Sequence, residues 1–135
     1  MTKVITLNPR PHKNFLIVDA GMNDLLRSAL YGARHEIWPV AEPEKNTLAQ
    51  AYEVAGPVCE SSDSFGKDFL LPQQKPGDLL CLMSAGAYGA VQASTYNSRL
   101  LVPEVLVKGE RFAVVRPRPS YDDLIGLDRL PEWLS

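Results

Sequence analysis

The sequence has little net charge, few cysteines and no long hydrophobic run. Its 14 basic and 16 acidic side chains leave a formal net charge of −2, so charge gives no reason to expect nucleic acid as a partner. The apolar runs are too short to span a membrane, and the N-terminal residues lack the apolar core of a secretory signal. Cys59 and Cys81 could pair in principle, but without secretory context we expect two free thiols and a cytoplasmic location.

The sequence also lacks the short motifs of several common enzyme classes. His12 and His35 are far apart and no HxxxH or CxxC spacing occurs, so we expect no metal site. There is no GxGxxG or P-loop lysine, and no Gly-x-Ser-x-Gly elbow. For His35, at the mouth of a predicted strand, a hydrogen-bonded structural role is a simpler interpretation than a catalytic base.

The composition is that of one β-rich globular domain. The chain has 135 residues, 45% apolar and 22% charged, with no internal repeat and no visible second-domain boundary. Eleven prolines and nine glycines interrupt many short apolar runs, which favours strands over long helices. The runs predict strands at residues 3–7, 14–19, 35–40, 50–54 and 78–84. A hairpin is predicted over residues 105–115, turning at Lys108-Gly109-Glu110, and a short helix follows Ser120.

One further helix is predicted before the third strand. Asn23 or Asp24 can cap it by accepting hydrogen bonds from its free N–H groups, and it would run to about Tyr31. Leu26 and Leu30 are four residues apart, so we expect both to face the core.

Residues 56–63 (GPVCESSD) crowd a thiol, two carboxylates and two hydroxyls behind a Gly-Pro turn. Gly and Pro mark a loop, and loops often carry chemistry. Cys59 beside Glu60 sets a proton donor next to an anion that can hold a cationic group. The plainer interpretation is a surface turn with a half-buried cysteine. Cys81, within an apolar strand, is most simply a core residue.

Four polar side chains stand where an apolar scaffold can aim them at a ligand. Arg27 can hold a carboxylate through two parallel hydrogen bonds, and Tyr31 adds a hydroxyl one helical turn later. Glu60 suits an ammonium group, and Tyr88 lies on a predicted loop between two glycines, which allow close approach. Together they suit the head group of an amino acid. The plainer interpretation makes Arg27 an exposed helix residue and Tyr31 a core aromatic.

Three stretches together resemble one family. Residues 19–37 (DAGMNDLLRSALYGARHEI) resemble the DAGMNDLxRPxLYxAxHEI signature of the diaminopimelate decarboxylases. Residues 56–63 resemble that family's GPxCESxD motif, and residues 77–89 resemble its GD…GAYG segment. Only Ser28, where the family usually has proline, departs conspicuously. Three long motifs in order, over essentially the whole chain, make the resemblance specific.

The resemblance implies only part of that family's architecture. These enzymes join an N-terminal (β/α)8 barrel to a C-terminal β domain, and residues 1–135 resemble the β domain alone. We therefore expect an all-β Greek-key barrel or sandwich of the fold-type III decarboxylases, with one or two short helices. The barrel supplies the glycine-rich phosphate cradle and the lysine that binds pyridoxal 5′-phosphate. Neither is found here, so we expect the barrel to be absent from this chain.

The resemblance also implies roles for five residues. Arg27, on a carboxylate, and Tyr31 would bind the substrate, Glu60 would hold its distal ammonium, and Tyr88 would contact substrate and cofactor phosphate. Cys59 would protonate the carbanion left by carbon dioxide, acting across a dimer interface; thiols are mostly protonated at neutral pH. Ornithine-type relatives carry a CDxxD loop suited to a plain amine. Glu60 with Arg27 therefore favours meso-diaminopimelate over ornithine or arginine.

Two hypotheses of different classes follow. In the first, the chain is the C-terminal domain of a diaminopimelate decarboxylase, as a fragment or as half of a split enzyme. It is inactive alone, and the full assembly converts meso-2,6-diaminopimelate into L-lysine and carbon dioxide. In the second, the chain is a non-catalytic regulatory module that pairs with an intact homologous decarboxylase. Surface that a barrel covers would be exposed in this chain, so we also expect a homo-oligomer.

Overall fold

The computed structural model of the chain describes residues 1–134, which form two compact units, one of residues 1–93 and one that begins at Ser94. The first unit contains six strands and two α-helices, and the second contains a two-stranded hairpin and one α-helix. The sequence shows no change of composition near residue 93 and so does not predict this division. The single β domain inferred from the resemblance stays a prediction.

A curled six-stranded sheet forms the first unit. Its strands are β1 (Thr2–Arg10), β2 (Lys13–Val18), β3 (Ile37–Pro39), β4 (Ala49–Ala55), β5 (Ser64–Pro72) and β6 (Leu79–Leu82). Their order in the sheet is β3-β6-β1-β2-β4-β5. The end strands β3 and β5 also contact each other, so the sheet is a nearly closed barrel. The predicted all-β class is confirmed.

Two short helices complete the first unit, α1 (Arg27–Tyr31) and α2 (Gly86–Gln92). With α3 (Tyr121–Ile125) of the second unit, residues 1–134 contain three short α-helices, where the sequence predicted one or two. No helix among residues 1–134 is long and apolar enough to cross a membrane.

α1 begins later than the sequence predicts. Asn23 and Asp24 were the expected caps, but the Asp24 carboxylate accepts a backbone N–H at 2.9 Å within the turn that precedes the helix. The N-cap is Leu26, which makes no side-chain cap hydrogen bond. The late start changes which side chains face inward: Leu25 is 5% exposed, whereas Leu30, a predicted core residue, is 56% exposed.

α2 replaces the predicted loop around Tyr88. Glycine lowers helix propensity, and two glycines in seven residues argue against a helix. Packing overrides that preference, because Gly89 is buried and a Cβ there would lie 3.8 Å from Leu25 Cδ1. The backbone of α2 therefore rests against the side chain of Leu25.

Side chains at alternate strand positions form the core of the first unit. Leu16 and Val18 in β2, and Tyr52 and Val54 in β4, are at most 1% exposed. Burying a side chain of this size stabilises a fold by about 1.5–3 kcal/mol. The buried Tyr52 hydroxyl accepts the N–H of Gln74 at 3.2 Å, so its polar atom is satisfied.

The pairing of β2 with β4 decides where two loops meet. These two strands are parallel, with Ile17 opposite Ala55 near the ends of both. Parallel strands end at the same edge of a sheet, so the loops that follow them emerge side by side. We call these the β2–α1 loop (residues 19–26) and the β4–β5 loop (residues 56–63).

The second unit follows the local chemistry of its sequence. Strands β7 (Glu104–Lys108) and β8 (Arg111–Arg116) form the predicted hairpin, and Gly109 takes the left-handed conformation of the turn with φ of 60°. Helix α3 (Tyr121–Ile125) is capped by Ser120, whose hydroxyl accepts the N–H of Asp123 at 3.1 Å in a capping box.

Apolar side chains on both faces of the hairpin are exposed. Those exposed by about half or more are Val105, Leu106, Val107, Phe112, Val114 and Val115. A two-stranded hairpin is marginally stable alone, and large exposed apolar patches mark interaction surfaces. The hairpin is therefore a surface that favours association.

Hydrogen bonds of Asp19, which directly follows β2, join the end of that strand to the start of β1. Its carboxylate accepts the Thr2 hydroxyl at 2.6 Å and the Lys3 N–H at 2.8 Å, and the Thr2 oxygen accepts the Ala20 N–H at 2.9 Å. Partial burial of the carboxyl opposes its ionisation. The hydrogen bonds from Thr2 and Lys3 and the charge of Lys3 outweigh that effect, so the pKa of Asp19 lies below its ordinary value.

We expect Thr2→Val to destabilise the chain at neutral pH and to matter less in acid. A carboxyl with a lowered folded-state pKa stabilises the fold above its unfolded pKa of about 4, and this is lost as pH falls through the folded value. Removing one hydrogen bond to this solvent-accessible carboxylate should cost about 1 kcal/mol at pH 7. Urea unfolding at pH 7 and pH 3 measures the difference in unfolding free energy between Thr2→Val and the wild type at each pH.

Thr6→Val in the same strand is the control. The Thr6 hydroxyl makes only a long, exposed contact of 3.5 Å to the Leu7 carbonyl, so its removal should change stability little at either pH. If Thr2→Val loses the same unfolding free energy at pH 7 and at pH 3, Thr2 does not act through the charge of Asp19.

Candidate functional site

The β4–β5 loop carries Cys59, the predicted proton donor, and the adjacent Glu60. Its backbone is tightly turned, because Gly56 N–H donates to the Asp63 carbonyl and Asp63 N–H donates to the Glu60 carbonyl, both at 3.0 Å. The side chains of Cys59 and Glu60 are exposed. Cys59 and Cys81 are both free thiols, as predicted, and Cys81 is only partly buried. The Cys59 side chain is thus free and accessible to solvent.

α1 carries Arg27 and Tyr31 as its first and last residues, one helical turn apart. Tyr31 is 64% exposed and is not a core aromatic. Gly32 ends the helix with φ of 63°, and its N–H donates to the Ser28 carbonyl at 3.1 Å. The Ser28 hydroxyl donates to the Ala33 carbonyl at 3.0 Å. The serine that replaces the proline of the motif therefore adds a bond that closes the end of α1.

α2 brings Tyr88 to Arg27. The guanidinium carbon of Arg27 lies 5.6 Å from the centroid of the Tyr88 ring, within cation–π range. Tyr88 is still 55% exposed, so its hydroxyl stays accessible. These two predicted site residues, 61 positions apart in sequence (88 − 27), are in direct contact in the fold.

His35 joins the segment after α1 to the segment before α2. Its buried ring donates from Nδ1 to the Met83 carbonyl at 2.9 Å, and Met83 N–H donates to the Glu36 carbonyl at 2.8 Å. A carbonyl only accepts, so Nδ1 carries a proton in this contact. Nε2 is buried without a partner among the described residues. The hydrogen bond predicted for His35 is confirmed.

The residues described here gather no metal ligands. Among positions 1–134, no three His, Cys, Asp or Glu side chains form a group able to hold a metal ion.

The β2–α1 loop packs directly on the β4–β5 loop. The Ser62 hydroxyl lies 3.8 Å from the Met22 sulfur. A Cβ at Gly21 would lie 3.0 Å from Val58 Cγ2, so the two loops are in close contact. The entry to α1 is thereby held beside the loop that carries the thiol.

Asp63 is the residue in this region to which the sequence assigned no role. It is 4% exposed, and its carboxylate fills the space beside Gly56. A Cβ at Gly56 would lie 2.5 Å from Asp63 Oδ1 and 2.7 Å from the Ala20 carbonyl oxygen. The motif spacing includes Asp63, but its partners are backbone N–H groups, which every non-proline residue has, so no sequence signal identifies them.

Three surface cavities are lined by other residues. One, of about 490 Å³, lies at the β1–β2 turn beside β4, and two, of about 240 and 580 Å³, are lined by parts of residues 36–47 and 70–79. The five predicted site residues are outside these three cavities, and four of them are exposed: Cys59, Glu60, Tyr31 and Tyr88. Their side chains are accessible to a second protein body.

The fold and its loops define a class of domain. The chain belongs to the family described as pyridoxal-dependent decarboxylase, C-terminal sheet domain, which matches residues 1–86. That span contains all six strands of the barrel-like sheet, α1 and the β4–β5 loop.

Within that class, the chain is similar to diaminopimelate decarboxylases. It is 48% identical over 127 residues to that of Archaeoglobus fulgidus, covering 91% of this chain and 29% of the relative. It is 48% identical over 133 residues to that of Vibrio cholerae, covering 98% and 31%. It superimposes on the M. jannaschii enzyme in co-complex with L-lysine with a TM-score of 0.92 and 36% identity, covering 99% and 30%. The chain spans about 30% of the length of these relatives.

We expect Gly56→Ala to destabilise the β4–β5 loop. Its methyl group would overlap the Asp63 carboxylate and the Ala20 carbonyl, and overpacking of this kind costs about 1–3 kcal/mol. Gly86→Ala is the matched control, because nothing lies within 4 Å of its added Cβ and alanine favours a helix. Thermal unfolding followed by circular dichroism compares the two. Equal Tm values would mean that the loop has room for a side chain at Gly56.

Proposed function

We propose that the chain is the C-terminal domain of a diaminopimelate decarboxylase, a carboxy-lyase of lysine biosynthesis. The complete assembly converts meso-2,6-diaminopimelate into L-lysine and carbon dioxide. The observation that carries the proposal is the contact between Arg27 and Tyr88, from two separate motifs. The exposed pair Cys59 and Glu60 lies on the loop that packs against the loop leading into α1. The similarity to diaminopimelate decarboxylases over more than nine tenths of the chain supports it.

The chain fits only part of a pyridoxal 5′-phosphate site. Tyr88, exposed and with the Arg27 cation against its ring, suits a contact to an anionic phosphate. No lysine lies in the two site loops, α1 or α2; the six are Lys3, Lys13, Lys45, Lys67, Lys75 and Lys108. When bound, the cofactor takes up the electron pair left by the departing carboxylate. We therefore assign its lysine and most of its binding to a (β/α)8 barrel domain outside this chain.

Three side chains select the substrate. Diaminopimelate carries an amino-acid group at its far end, with one carboxylate and one ammonium. The Arg27 guanidinium suits the carboxylate through two parallel hydrogen bonds, and the exposed Tyr31 hydroxyl lies one helical turn away. Glu60 suits the ammonium. Ornithine lacks the distal carboxylate, so it leaves Arg27 without a carboxylate partner.

Cys59 supplies the proton that completes the reaction. When the bond to the departing carbon dioxide breaks, its electron pair must end in a new C–H bond at the same carbon. The S–H bond of Cys59 breaks to form that C–H bond, and the thiolate then takes a proton from water. The exposure of Cys59 supports this role, because its donor must reach a substrate held largely by another domain.

The exposed hairpin of the second unit supports an assembled enzyme. Its apolar side chains favour a covering partner. We propose a cytoplasmic homodimer in which Cys59 of one subunit serves the site of the other, with each β domain joined to a barrel. The same surface suits a regulatory module paired with an intact homologue. Exposed Cys59 and Glu60 favour the catalytic role, since a scaffold needs neither.

We expect the isolated chain to release no carbon dioxide from diaminopimelate, even with added pyridoxal 5′-phosphate. A chimera that joins it to the part of the Archaeoglobus fulgidus relative it does not cover should be active. In that chimera, Cys59→Ala should lower kcat by about 10²–10⁴-fold, the usual contribution of a general acid. The measurement is carbon dioxide release together with lysine formation.

Cys81→Ala is the matched control, because it also removes a thiol but lies in β6, outside both site loops. It should leave kcat unchanged. Turnover by the isolated chain, or a Cys59→Ala chimera as active as the parent chimera, would contradict the proposed function.

A further inference from the structure

The Asp63 side chain binds the backbone of both site loops. Its Oδ1 accepts the Met22 N–H at 2.6 Å, and its Oδ2 accepts the Val58 N–H at 2.6 Å. Met22 belongs to the β2–α1 loop and Val58 to the β4–β5 loop. Asp63 and Met22 are 41 residues apart in sequence, so this side chain joins two distant segments.

The carboxylate is fitted closely into this position. Asp63 is almost completely buried, and its main chain contributes as well, since its carbonyl accepts the Gly56 N–H at 3.0 Å. The space that the carboxylate occupies exists because Gly56 has no side chain. A buried polar group held by several hydrogen bonds gives its surroundings one preferred arrangement.

These bonds act on the immediate neighbours of the site residues. Val58 directly precedes Cys59, and Met22 lies five positions before Arg27. Leu25 lies between Met22 and Arg27, and its side chain packs against α2, the helix that carries Tyr88. A change in the bonds of Asp63 would therefore move the thiol relative to the guanidinium.

We propose that Asp63 is a positioning residue that holds Cys59 and Glu60 in register with Arg27, without itself touching substrate or cofactor. The inference rests on the proposed function, in which Cys59 and Arg27 act on one substrate molecule. The bridge needs two acceptor atoms on one short side chain, and the carboxylate of aspartate provides them. An amide of the same shape provides one acceptor and turns a donor toward the other N–H.

The first test uses Asp63→Asn in the chimera described above. A misplacement of about 1 Å can cost about 10²-fold in rate, so we expect kcat to fall by about 10–100-fold. KM for diaminopimelate should rise much less, because proton transfer depends more steeply on distance than binding does. The control is Tyr52→Phe, which removes another buried acceptor, the one that serves Gln74 N–H, outside both loops. It should leave kcat near that of the parent.

The second test uses the 135-residue chain and needs no activity. Amide hydrogen exchange followed by NMR should show that the N–H groups of Met22 and Val58 are protected in the wild type. In Asp63→Asn both should exchange at least about tenfold faster, while amides of the core strands should not change.

The outcomes separate the positioning role from the proposed function. Unprotected Met22 and Val58 amides in the wild type would overturn the positioning role, whether or not Asp63→Asn folds. A parental kcat in Asp63→Asn, with Cys59→Ala inactive, would overturn only the positioning role. An equal loss of kcat in Tyr52→Phe at matched Tm would assign the effect to stability and would also overturn it. An inactive parent chimera, or an active Cys59→Ala variant, would contradict the proposed function, and the positioning role would fall with it.

Discussion

The parallel pairing of β2 with β4 is the constraint on which the candidate site depends. The other pairings in the six-stranded sheet are antiparallel, and this one makes two loops emerge at the same edge. The loops can touch because Gly21 and Gly56 have no side chains where they approach each other. A register slip of one residue between β2 and β4 would reverse the faces of a strand and part the loops, so the site depends on the buried alternation of the core.

The exposed side chains of the candidate site are consistent with a site that is shared between two domains. The loops and helices offer a thiol, a carboxylate, a guanidinium and two phenols, all suited to a charged amino acid, and they include no lysine. The relatives are about three times as long as this chain. A site that is completed only on assembly can stay accessible in each part and exclude water when the parts meet. The exposed apolar hairpin fits the same arrangement.

Features that depend on neighbouring residues could be predicted from the sequence, and features that depend on packing could not. The cap at Ser120 and the turn at Gly109 follow from side chains or φ preferences within a few residues. Composition predicted a β-rich domain, and residue types and spacing singled out the five candidate residues. The motif resemblance gave these residues roles, but none of the distances between them. α2 was not predicted, because the packing of Gly89 on Leu25 outweighs the low helix propensity of glycine. The role of Asp63 was not predicted, because it accepts hydrogen bonds from main-chain N–H groups that only the fold brings near.

In the proposed assembly, this chain holds one part of a pyridoxal 5′-phosphate-dependent site and not the lysine that binds the cofactor. Incubation of the purified chain with pyridoxal 5′-phosphate, reduction with borohydride and intact-mass analysis test it most directly. We expect no stoichiometric adduct at a single lysine. One adduct per chain on one defined lysine would instead show that the chain has its own cofactor site.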